Sequence, residues 1–116
     1  MNMTLSDFLA GPGGDLVRRL GLPADLIAGC TCWARLTAVA IAHNSRTDGG
    51  VWRAAERLFG VLSSGERAVL LALLGALDFS SLADQLAGRY GTWTLMDVTH
   101  GRHRDAVAAC ILRRDP

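Results

Sequence analysis

Ser63-Ser64-Gly65-Glu66-Arg67-Ala68-Val69-Leu70-Leu71-Ala72-Leu73-Leu74-Gly75-Ala76-Leu77 is the stretch on which the fold turns. It opens as a capping box, with Glu66 three residues after Ser63. The hydroxyl takes an N–H of the first turn, and the carboxylate reaches back to the cap's own N–H. From Arg67 to Leu77 the residues Val69, Leu70, Leu71, Leu73, Leu74 and Leu77 leave little polar face. A helix apolar nearly all round belongs in the centre of a bundle. The run is far too short to cross a bilayer, which takes about 20 apolar residues.

Upstream, Asp48 is placed to cap a helix over Val51 to Leu62, with Val51, Ala55, Leu58 and Leu62 inward. Before the loop at Asn44 to Gly50, Pro23 and Asp25 suit the first turn of a helix running to about His43. Leu26, Cys30, Trp33, Thr37 and Ala40 form its stripe, and Leu36, Val39 and Ala42 fill other faces. This too reads as a central helix. The 17 residues from Leu26 to Ala42 carry only Arg35. A mid-span Arg costs roughly 2.5–3.5 kcal/mol on insertion, so a buried helix is expected rather than a membrane span. Nearer the N-terminus, Thr4 or Ser6 caps a short helix over Leu5 to Ala10. Gly11-Pro12-Gly13-Gly14 ends it, and a helical turn over Asp15 to Leu20 precedes the C′ residue Gly21.

Downstream, Asp78-Phe79-Ser80-Ser81 breaks the chain and caps Leu82 to Ala87, which Gly88 ends. Residues 90–98 read as a loop leading into a helical turn. The last helix spans roughly Arg102 to Arg113, with Ala106, Val107, Cys110 and Ile111 inward. The expected fold class is all-α: one domain over residues 1–116, a compact bundle of about five main helices plus short turns.

Composition narrows the function classes. The chain has 116 residues, half of them apolar and only 6% aromatic, with 12 basic against 11 acidic residues. Near-neutral charge offers no footprint for a polyanion or an anionic membrane. All the basic residues are Arg, a bias that codon usage in a GC-rich genome accounts for. Three cysteines and an N-terminus without a basic leader point to reduced thiols in the cytoplasm.

Cys30-Thr31-Cys32 lies inside the helix expected from Pro23 to His43. There the two side chains would point about 200° apart, which excludes a shared metal ion or a disulfide and leaves two buried thiols. Asp97, His100 and His103 stand at i, i+3 and i+6, a two-His, one-carboxylate set if helical. Gly101 and Thr99 mark a helix start there, and Arg102 and Arg104 repel a cation, so no metal is assigned. No nucleophile–base pair, phosphate loop or zinc-protease motif is present. An enzyme is not expected, nor a cofactor or a small-molecule substrate.

Ser80-Ser81-Leu82-Ala83-Asp84-Gln85-Leu86-Ala87 resembles, over fewer than ten residues, the first helix of a helix-turn-helix. That resemblance implies a DNA-binding regulator reading through Arg102, His103 and Arg104. Residues 63–116 hold six Arg against six acids, however, so this stands second. First stands a non-catalytic helical protein–protein interaction module. An adaptor, regulator or inhibitor, including those of mobile elements, fits the description, with a homodimer expected. Exposed Trp, Tyr and Arg anchor interfaces, which singles out Trp52, Arg89, Tyr90, Trp93, Arg102 and Arg104, with Trp93 at the centre and Trp33 in the core.

Overall fold

The structure is a computed structural model and describes residues 3–88 and 99–115. Among these residues the fold is all-α and contains no strand. No described helix is long and apolar enough to cross a membrane.

Helix α1 (Leu5–Ala10) is held by a reciprocal cap. The Asp7 N–H donates to Thr4 Oγ1 at 3.4 Å, and the Thr4 N–H donates to Asp7 Oδ2 at 3.1 Å. Gly11 alone makes the expected break, because α2 (Pro12–Arg19) starts at once with Pro12 at its first position. The helix therefore begins three residues before Asp15. Gly13 and Gly14 sit inside it for close approach. A Cβ on Gly13 would lie 2.2 Å from the Phe8 ring, and one on Gly14 would lie 1.8 Å from the Leu9 carbonyl oxygen. Any side chain at either position would push α1 and α2 apart.

The single helix expected from Pro23 to His43 is two helices. Helix α3 (Ala24–Ala28) ends at Gly29, and α4 (Trp33–Arg46) starts after a non-helical link through Cys30, Thr31 and Cys32. The acceptor that starts α4 comes from the far end of the chain: the Trp33 N–H donates to Asp115 Oδ1 at 2.9 Å. Trp33 is buried as expected, its ring 5.1 Å from that of Phe8. Nor is α4 central. It buries only Trp33, Leu36 and Ala40, while Ala34, Ala38 and Ile41 face outward.

Helix α5 (Gly50–Val61) is not capped by the Asp48 side chain; Asp48 has a positive φ of 54°, and its carbonyl accepts from the Arg53 guanidinium instead. Its first turn is served by Thr47 and Asn44. The Gly50 N–H donates to Thr47 Oγ1 at 3.1 Å, and the Trp52 N–H donates to Asn44 Oδ1 at 3.0 Å.

Helix α6 (Ser64–Ala76) matches its reading. The Ser63 N–H donates to Glu66 Oε1 at 3.1 Å and the Glu66 N–H to Ser63 Oγ at 3.3 Å. Residues from Ala68 through Leu74 are all buried. Around α6 lie α2, α5, α7 (Ser80–Ala87) and α8 (Gly101–Leu112). Helix α8 turns Ala106, Val107, Ala109 and Cys110 inward, but Ile111, expected inside, is 49% exposed. It lies one residue, about 100° of helix, past Cys110. Beyond α8, Arg113 turns left-handed, and the tail closes the fold. The Arg114 carbonyl accepts from the Leu5 N–H at 3.2 Å, and Asp115 reaches α4.

Candidate functional site

Three helices that pack well on one another still leave a furrow when the residues between them are small. Ala72, Gly75 and Ala76 follow one another along the outer edge of α6, and Ser80, Ala83 and Asp84 along the facing edge of α7. Cys110, Ile111 and Arg113 form the α8 side. The result is an open groove of about 350 Å³. Gly75 is the exposed position of an otherwise buried stretch, and a Cβ built there meets nothing within 4 Å. Ile111 rises on one rim, with Leu112, 53% exposed, beside it. Thr37 of α4 donates its hydroxyl to the Ala76 carbonyl at 3.2 Å.

The groove carries one charge of each sign, Asp84 on α7 and Arg113 at the end of α8. Among the described residues neither forms an ion pair. Cys110 contributes little chemistry, because full burial pushes its thiol well above the ordinary range despite Arg113 nearby. An apolar floor, an aliphatic ridge and two opposite charges suit recognition of another surface.

Of the residues singled out in the sequence, the described ones lie elsewhere. Trp52 is half-buried on α5 and packs against the core. Arg89, Tyr90 and Trp93 lie outside the described residues, as does Asp97. Arg102 and Arg104 are exposed at the start of α8. Nine residues separate Arg102 from Ile111, about 13 Å along a helix, so the pair stands at the end of α8 away from the groove. Arg102 shares a shallow depression there with Asp7 and Asp105. His100 is the exposed cap residue of α8, whereas His103 lies over α6, where a Cβ on Gly65 would come within 2.6 Å of its Nδ1. His103 and Arg19, 3.7 Å away, add to the Ser63 hydrogen bonds that hold the Glu66 carboxyl below its ordinary range.

Ala72, Gly75, Ala83 and Ile111 went unread as a site. One signal was present: a glycine inside a strongly apolar helix costs about 1 kcal/mol against Ala, which asks for a reason such as an open furrow. Ile111 gave none, since its apolar side chain fits a core equally well. Comparison with protein-family models, curated proteins and solved structures gives no match, so the chain's own geometry carries the functional reading.

Proposed function

We propose that this chain is a non-catalytic protein-binding module that associates with a second copy of itself through the groove between α6, α7 and α8. The observation that carries the reading is the small-residue floor around Gly75 flanked by the exposed Ile111. In a two-fold pair, each Ile111 fills the floor of the other copy, and each Arg113 meets the other's Asp84. Such an isologous arrangement needs one patch that is complementary to itself in shape and charge. The fit also leaves no large aliphatic side chain stranded on the rim.

Light scattering tests it directly. The wild-type chain at high micromolar concentration should run at twice its 12.4 kDa mass. Gly75→Arg fills the furrow without disturbing the core, and Ile111→Glu places a charge on the ridge. Each should return a monomer with an unchanged helical spectrum. A wild-type chain that stays at 12.4 kDa under these conditions sinks the reading.

The alternative, a DNA-binding regulator, is supported by Arg102 and Arg104 standing exposed at a helix start. Asp7 and Asp105 beside Arg102 weigh against phosphate contact. Duplex binding that falls steeply with salt, and weakens in Arg102→Ala and Arg104→Ala, would reverse the order of the two.

A further inference from the structure

The link between α3 and α4 does something that a continuous helix would have prevented. Along it burial alternates, with Cys30 buried, Thr31 exposed and Cys32 half-buried. Cys32 has extended backbone, φ −145° and ψ 159°. In extended chain, residues two apart project to the same side. The Cys30 thiol accordingly feels the charge of Cys32. Residues two apart in an extended chain have Cα atoms about 6.6 Å apart, at the upper end of the roughly 4.4–6.8 Å that a disulfide spans. The 200° separation of a helix is gone, and both thiols are free.

Access is present as well. An open cavity of about 390 Å³, bordered by Leu9, Arg18, Ile27 and Cys30, reaches Cys30, and Cys32 is itself only half-buried. Cys32 is the N-cap of a 14-residue helix whose cap side chain makes no hydrogen bond of its own. Cys30 is the contrasting partner: burial raises its thiol above the ordinary value, and its Sγ donates to the Leu26 carbonyl at 3.3 Å.

We propose that Cys30 and Cys32 form a reversible dithiol–disulfide site at the α3–α4 junction, oxidised by hydrogen peroxide or an organic hydroperoxide. The Cys32 thiolate attacks one peroxide oxygen, the O–O bond breaks, and hydroxide leaves Cys32 as a sulfenic acid. The Cys30 sulfur then attacks the sulfenic sulfur. Its proton and the displaced hydroxide leave as water, and the S–S bond closes. Two thiols lose two electrons in all, and one hydrogen peroxide becomes two waters. Closure takes the Cys30 Sγ off the Leu26 carbonyl. Cys110, shut inside α8, takes no part.

The test uses the full chain with one equivalent of hydrogen peroxide, followed by thiol counting and peptide mapping by mass spectrometry. Two of the three thiols should disappear together, in a Cys30–Cys32 bond that dithiothreitol reopens. Cys32→Ser should slow the oxidation of Cys30 about tenfold or more, because the attacking thiolate is gone. Cys110→Ser should leave the rate of closure unchanged. Closure should also be slower in guanidinium chloride than in the folded chain. A bond to Cys110 or between chains would overturn the proposal. So would sulfinic acid at Cys32 with Cys30 still free, or closure as fast in the unfolded chain as in the native one.

Discussion

Helices α4 and α6 have similar lengths and similarly apolar sequences, yet they sit in opposite places. Helix α6 buries eight of its thirteen residues, whereas α4 buries three of its fourteen. The difference lies in side-chain size. Helix α6 has Val69, Leu70, Leu71, Leu73 and Leu74 within six residues, and these large side chains attract neighbours on every side but the Gly75 edge. The outer positions of α4 are Ala34, Arg35, Ala38, Ile41 and Ala42, where alanines offer little area and arginine needs water. A low count of charges therefore marks a helix that tolerates burial. Only bulky residues all round mark one that demands it.

Truncation breaks this comparison most directly. Leu70→Ala in α6 should cost about 2–5 kcal/mol, since the side chain is fully buried and its loss leaves a cavity. Ile41→Ala on α4, 45% exposed, should change stability by no more than about 0.5 kcal/mol. Urea unfolding of the two variants checks both, and similar losses would mean that the outer face of α4 is covered.

The two helices also start differently, and this gives an effect of intermediate size. Helix α6 is capped by its own Ser63 and Glu66, whereas α4 takes its acceptor from Asp115, 82 residues away. Ser63→Ala and Asp115→Ala should each cost about 1 kcal/mol, as loss of a capping side chain usually does. They should differ in where the loss falls. Ser63→Ala frays the start of α6 alone, while Asp115→Ala also frees the tail from α4, which hydrogen exchange at the Trp33 and Leu5 amides will report. Acid separates them further. The Glu66 carboxyl is held below its ordinary value of 4.5 chiefly by the Ser63 hydrogen bonds. Its stabilising contribution is thus complete above about pH 4.5 and disappears as the pH falls through the lowered value. A pH titration of stability in Glu66→Gln should lose that acid-dependent component, whereas Ser63→Ala should only weaken it, because the Ser63 N–H remains.

The smallest effect concerns the gap in α6. Gly75→Ala should raise stability by about 0.5–1 kcal/mol through helix propensity, because the added methyl meets open space. The gain should appear in urea midpoints. A loss there would show that the floor of the groove is already filled.

The fold was legible where the physics is local. The capping box at Ser63, a cap at Thr4 or Ser6, the stop at Gly21 and the leucines of α6 depend on residues within four or five positions of one another, so reading them requires nothing else. The groove between α6, α7 and α8 was less legible. Ile111 and Cys110 are adjacent apolar residues on one helix, and only the placement of α6 and α7 decides that Cys110 is covered and Ile111 is not.

What the sequence alone determined, then, is the class of fold, the central place of α6 though not the outer place of α4, and most of the helix ends. Propensity, apolar periodicity and capping act over a turn or two of chain. Tertiary structure decided the rest. It split the expected helix at Gly29 to Cys32, because Asp115 supplies a cap from the other terminus and Trp33 stacks on Phe8. That break put two thiols in a non-helical link. It also put Gly13 and Gly14 inside a helix, where their lack of side chains lets two helices touch. Each of these outcomes depends on groups far apart in sequence that meet only in the folded chain, and no local pattern can encode such a meeting.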